Sequence, residues 1–70
     1  MKVLVNGEAR ELPDALTIAE LVAGEAPDLP DGRGVAVAVD AAVVPRSEWA
    51  ATTLEAGQTV EVLAAMQGGA

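Results

Sequence analysis

The chain has 70 residues, of which 51% are hydrophobic, and eleven acidic residues against four basic ones give a net charge of −7. It is long enough for one small domain. A domain of this size buries only ~60% of the surface that its unfolded chain exposes, which argues against a deep catalytic cleft. The sequence contains no cysteine and no histidine, which excludes thiol nucleophiles, disulfides, iron–sulfur ligation and histidine general bases.

The negative charge and the N-terminal residues bear on partners and location. The charge would repel nucleic acid and anionic lipid, so we expect neither as a partner. It favours solubility and can also steer the protein to a basic docking surface. The apolar run Val3 to Val5 is shorter than the ~7–15 residues of a signal peptide, and no segment has the length of a membrane span. We therefore expect a cytoplasmic protein.

The first third of the chain predicts a β-hairpin followed by a helix. Two short runs with strand character, Lys2 to Val5 and Glu8 to Leu12, flank Asn6-Gly7. This dipeptide suits a two-residue turn because both positions tolerate positive φ. Thr17 and Glu20 have the spacing of a capping box at a helix N-terminus. The helix should end between Gly24 and Pro27. Its buried face should consist of Ile18, Leu21 and Val22.

The middle of the chain predicts a loop and two strands. Pro27 to Gly34 contains two prolines, two aspartates and two glycines, as expected of a surface loop. Val35 to Val39 alternates valine with alanine, which predicts a strand with its large side chains against the helix. Ala42 to Val44 predicts a short return strand ending before Pro45. Ser47 is expected to cap a single helical turn.

The C-terminal third predicts a closing strand from Thr59 to Leu63, after a turn at Gly57. Trp49 is expected in or over the core, with an anchor in a protein interface as the alternative. This element order is that of an α+β fold of the β-grasp (ubiquitin-like) type, in which a mixed sheet of four to five strands wraps one helix. The predicted core comprises Val3, Val5, Leu16, Ile18, Leu21, Val22, Val37, Val60 and Val62.

The C-terminal residues are small and uncharged. Gly68 and Gly69 would lose backbone entropy on ordering and add no side chain to a core, so a structural role for them is weak. Without Cβ atoms they suit an extended backbone that threads a narrow channel in another protein. A frayed chain end is the alternative. We expect residues 1–66 to form the domain and residues 67–70 to form a flexible tail.

Several motifs point to one family when they are taken together. They are the runs Val35 to Asp40 and Val43-Val44-Pro45-Arg46-Ser47-Glu48-Trp49, the strand Val60-Glu61-Val62-Leu63 and the end Met66-Gln67-Gly68-Gly69. Val5-Asn6-Gly7 and the helix start at Thr17 fit the same pattern. Over essentially its whole length the chain resembles the ThiS family, the sulfur carriers of thiamine biosynthesis.

The resemblance implies a carrier and not an enzyme. A ubiquitin-activating-type enzyme would use ATP to adenylate the carboxyl group of Gly69, a sulfur donor system would convert it to a thiocarboxylate, and thiazole synthase would take up the sulfur. Gly68 and Gln67 would thread the partners' sites, and Met66 and Arg46 are possible partner contacts. The carrier itself would bind no cofactor and no metal. The composition agrees, because a protein without cysteine can carry sulfur only on a carboxyl group.

One departure and several alternatives stay open. Members of the family end at the second glycine, whereas Ala70 follows Gly69 here. Either Ala70 is removed before activation, or it is foreign to the natural protein, or the activating site tolerates its methyl group. The alternative functions are the small subunit of molybdopterin synthase or another metabolite sulfur carrier, a ubiquitin-like protein modifier, and a plain interaction module. The Pro45-Arg46-Ser47-x-Trp49 run favours the thiamine branch.

Overall fold

The computed structural model describes residues 1–29 and 33–64. Within them the elements are β1 (Lys2–Val5), β2 (Glu8–Glu11), α1 (Ile18–Glu25), β3 (Val35–Val39), β4 (Ala42–Val44), a 3₁₀ helix (Arg46–Ala51) and β5 (Thr59–Ala64). The strands form one sheet in the order β2-β1-β5-β3-β4, with β5 parallel to β1 and antiparallel to β3. The predicted β-grasp fold is confirmed. The tail predicted at residues 67–70 lies outside the described residues.

The predicted hairpin connects β1 and β2. Asn6 and Gly7 form its turn with φ of 52° and 82°. Both values lie in the left-handed region, as a two-residue hairpin turn of type I′ requires. The strands then pair antiparallel from Val5 opposite Glu8 to Lys2 opposite Glu11. The second strand stops at Glu11, and the next residue, Leu12, is buried in the core.

The predicted capping box starts α1. The backbone N–H of Glu20 donates to Thr17 Oγ1 at 3.1 Å, and Glu20 Oε1 accepts from the backbone N–H of Thr17 at 2.9 Å. These bonds satisfy donors that a helix N-terminus otherwise leaves free. The helix ends at Glu25, where the N–H of Ala26 donates to the carbonyl of Val22 at 2.8 Å. Both ends agree with the sequence prediction.

The capping box should make stability depend on pH. Hydrogen bonds from the backbone N–H and hydroxyl of Thr17 lower the pKa of Glu20. Because its pKa is lower in the folded state, its stabilising contribution is complete above the unfolded value of ~4.3 and is lost as the pH falls through the folded value. Urea unfolding at a series of pH values should show that the advantage of wild type over Glu20→Gln shrinks in acid. Glu55→Gln controls for the loss of one charge, and a constant difference between wild type and Glu20→Gln would contradict this account.

One apolar core lies between the sheet and α1. Every predicted core residue except Leu16 is buried, and Leu16 is half-buried and packs against the others. Trp49 also belongs to the core, and its Nε1 donates to the carbonyl of Val44 at 2.9 Å. The prediction of core packing for Trp49 is therefore confirmed. Leu12 and Leu54 complete the core. Leu12 was predicted as the last residue of the second strand but lies one residue beyond β2, and Leu54 lies in a connecting segment.

The 3₁₀ helix begins differently from the prediction. It starts at Arg46 with Pro45 in the N-cap position and has no side-chain capping bond. Pro45 has a φ of −63°, which its ring fixes without help from a hydrogen bond. Ser47 lies inside this helix, exposed to solvent, so the prediction that Ser47 caps it is wrong.

Candidate functional site

Strand β5 lies in the middle of the sheet and ends at Ala64, four positions before Gly68 in the sequence. Val60 and Val62 are buried towards α1, whereas Glu61 and Leu63 point to the opposite face of the sheet, which we call the open face. Leu63 is 67% exposed even though it is a large apolar residue. The strand thus fixes one side to the core and presents the other side to solvent just before the C-terminal segment.

The open face carries a shallow apolar depression of about 320 Å³. The strand register forms it: Ala38 lies between Glu61 and Val43, and Ala36 lies beside Leu63. The small side chains of Ala36 and Ala38 leave a gap between the large exposed side chains of Val43 and Leu63. Its lining, which we call the open-face patch, consists of Ala36, Val37, Ala38, Ala41, Val43, Glu61 and Leu63. Val43 and Leu63 are 77% and 67% exposed, so a partner that covers this depression would remove apolar surface from water.

The open-face patch contains one charged side chain, Glu61. The salt bridges within residues 1–29 and 33–64 join the N-terminal ammonium to Glu11 and Asp14, and Arg10 to Glu25, and none involves Glu61. A protein that covers the patch therefore has to compensate this carboxylate, since burying an unpaired charge is costly. A complementary partner surface would be apolar and would carry one arginine or lysine.

The end of β5 is held by a side chain. Strand β1 runs beside β5 only at Leu4 and Val5, because the chain turns back at Asn6. The backbone N–H of Asn6 donates to the carbonyl of Val60 at 2.9 Å. Asn6 Oδ1 then accepts from the N–H of Val62 at 2.8 Å, and Asn6 Nδ2 donates to the carbonyl of Val62 at 3.2 Å. The sequence identified Asn6 as a turn residue only, and this second role was missed.

The remaining predicted site residues divide into two groups. Arg46 is exposed at the start of the 3₁₀ helix and is not part of the open-face patch. The residues predicted to carry sulfur or to contact partners from the tail lie outside the described residues, and their roles stay predictions: Met66, Gln67, Gly68 and Gly69. In the described part of the chain, acidic side chains form no group of three or more that could hold a metal ion, and no helix is long and apolar enough to cross a membrane.

The fold and the open face define a class: a small ubiquitin-like protein of the β-grasp type, with an exposed apolar patch beside the strand that leads to its glycines. Within this class, residues 3–69 match the model of the ThiS family. The chain belongs to the ThiS family, as its sequence motifs indicated.

Two solved structures are similar to this chain. The crystal structure of the thiamine biosynthesis protein ThiS from Geobacter metallireducens is 31% identical, with a TM-score of 0.75 over 99% of this chain and all of that one. The NMR solution structure of a thiamine biosynthesis protein from the same organism is 29% identical, with a TM-score of 0.79 over all of this chain and 90% of that one. No match was found among curated proteins.

Proposed function

We propose that this protein is a sulfur carrier of thiamine biosynthesis whose Gly69 carboxyl group becomes a thiocarboxylate and donates its sulfur to thiazole formation. The observation that carries the proposal is the family match, which extends through Gly68 and Gly69. The absence of cysteine from the whole chain supports it, because a carboxyl group is then the remaining place to attach sulfur.

The chemistry divides between the carrier and its partners. Once Gly69 is the terminal residue, its carboxylate attacks the α-phosphorus of ATP in the active site of an adenylating enzyme, which releases pyrophosphate and leaves an acyl-adenylate. A sulfur nucleophile at the oxidation level of sulfide, supplied by a donor system, then attacks the acyl carbon, and the C–O bond to AMP breaks. The resulting thiocarboxylate passes to thiazole synthase. In this proposal the carrier supplies the carboxyl group, and its partners supply the catalytic groups.

The adenylating enzyme docks on the open-face patch in this proposal. Leu63 belongs to the patch and lies in the strand that continues into the C-terminal segment. The five residues from Ala65 to Gly69 span at most ~16–18 Å when fully extended. An enzyme seated on the patch can therefore receive the carboxyl group if its active site lies within that distance. The net charge of −7 speeds the encounter with a basic surface on that enzyme.

The test reconstitutes the pathway with purified components. The chain ending at Gly69 is incubated with the adenylating enzyme, ATP and a sulfur donor, and its intact mass is measured. We expect the mass change for replacement of one oxygen by sulfur, followed by its reversal when thiazole synthase and its substrates are added. A chain lacking Gly68 and Gly69 is the control and should stay unmodified. Discharge by the large subunit of molybdopterin synthase instead, or isopeptide adducts on lysines, would contradict the assignment to thiamine biosynthesis.

A further inference from the structure

We propose that Asn6 is a positioning residue for the C-terminal segment: its side-chain amide fixes the end of β5 and so the direction in which the following residues leave the sheet. The effect of Asn6 on sulfur loading rests on the proposed function. The effect of Asn6 on the end of the strand does not.

The first argument is the shape of the sheet at this point. On one side of β5, the pairing with β3 continues to Val35 opposite Ala64. On the other side, the pairing with β1 ends at Val5 opposite Val60. Both backbone groups of Val62 on that side bond to the Asn6 amide. A side chain thus takes the place of a peptide group where β1 has already turned away.

The second argument is the choice of residue. With a φ of 52°, position 6 favours glycine, asparagine or aspartate. Glycine would form the turn but offers no side chain to Val62. Aspartate would place a carboxylate oxygen against the carbonyl of Val62. Only asparagine combines tolerance of this backbone conformation with one acceptor and one donor on the same planar group.

The third argument is the place of Val62 in the chain. It immediately precedes Leu63 of the open-face patch and Ala64, the last described residue of β5. If the strand loosens here, a docked partner still finds most of the patch, but the following segment no longer starts from a fixed position. Loss of Asn6 should therefore slow the step after docking and leave docking itself nearly unchanged.

The structure offers a closely matched control at the other end of the same strand. Asp40 also has a positive φ, of 48°, and its carboxylate accepts a hydrogen bond from the backbone N–H of Thr59 at 2.9 Å. Asn6→Gly removes two side-chain hydrogen bonds to the backbone of β5 and Asp40→Gly removes one, and both keep a residue suited to positive φ. They differ in which end of the strand they release.

The first experiment follows amide hydrogen exchange by NMR and needs no partner. The exchange of Leu63 is divided by that of Val37, a buried residue of β3, which corrects for any change in global stability. In Asn6→Gly this ratio should rise about tenfold or more over wild type, because two hydrogen bonds that hold the strand end are lost. In Asp40→Gly it should stay within about twofold. An unchanged ratio, or an equal rise in both variants, overturns the proposal.

The second experiment measures ATP–pyrophosphate exchange by the adenylating enzyme, with each variant ending at Gly69 as the substrate. Asn6→Gly should lower kcat about tenfold and leave KM within about threefold, whereas Asp40→Gly should leave both near wild type. A rise in KM alone, or equal effects of the two variants, overturns the positioning role. If the wild-type chain itself is not adenylated, the proposed function fails, and the hydrogen-exchange result alone decides whether Asn6 fixes the strand end.

Discussion

The chain that ends at Gly69 should be adenylated about 100 times faster or more than the chain that ends at Ala70. One additional residue moves the reactive carboxyl group by up to ~3.3–3.6 Å along an extended backbone. It also places a Cβ atom in a passage that suits glycine. Since misplacement by ~1 Å can cost ~100-fold in rate, the additional alanine should almost abolish activation.

The comparison of these two forms separates docking from chemistry. Both contain the same open-face patch, so the form with Ala70 should still bind the adenylating enzyme and inhibit activation of the shorter form competitively. Each form is incubated with the enzyme, ATP and a sulfur source, and adenylate and thiocarboxylate are followed by mass spectrometry. Equal rates with Ala70 retained in the product would move the reactive carboxyl group from Gly69 to Ala70.

The parts of the fold that were predictable from sequence depend on neighbours in the chain. Asn6-Gly7 selects its turn through backbone conformation alone, and Thr17 and Glu20 form hydrogen bonds over three residues. The alternation in Val35–Val39 follows from the period of a strand, and the structure indeed buries Val37 and exposes Ala36. In each case the residues concerned lie within a few positions of one another in the chain.

The parts that were missed depend on residues far apart in the sequence. The contact between Asn6 and Val62 spans 56 positions and exists only because β5 inserts between β1 and β3, an order that the element sequence does not dictate. Leu54 reaches the core from a connecting segment, where no periodicity marks it. The open-face patch likewise depends on the register of three strands, which brings Ala38 between Glu61 and Val43. The alternation of buried and exposed residues in β5 predicted which of its side chains face away from the core. It did not predict which residues of β3 and β4 lie beside them.

Leu63→Asp should weaken productive binding to the adenylating enzyme about 100-fold or more, seen as a rise in KM. A leucine side chain buried in an interface contributes ~1.5–3 kcal/mol. The new carboxylate would also lie uncompensated in the interface, close to Glu61, and burying an unpaired charge costs on the order of several kcal/mol. The folded protein itself should change little in stability, since Leu63 is 67% exposed.

Leu4→Asp is the matched control for this prediction. Leu4 is the same residue type and lies on the same open face, since its neighbours Val3 and Val5 point into the core, but it is not part of the open-face patch. Leu4→Asp changes the net charge by the same amount as Leu63→Asp, so the two variants share any change in long-range attraction to the adenylating enzyme. We expect Leu4→Asp to change KM by less than about threefold. Thermal unfolding establishes that both variants are folded, and equal increases in KM would show that net charge, and not contact at the patch, controls docking.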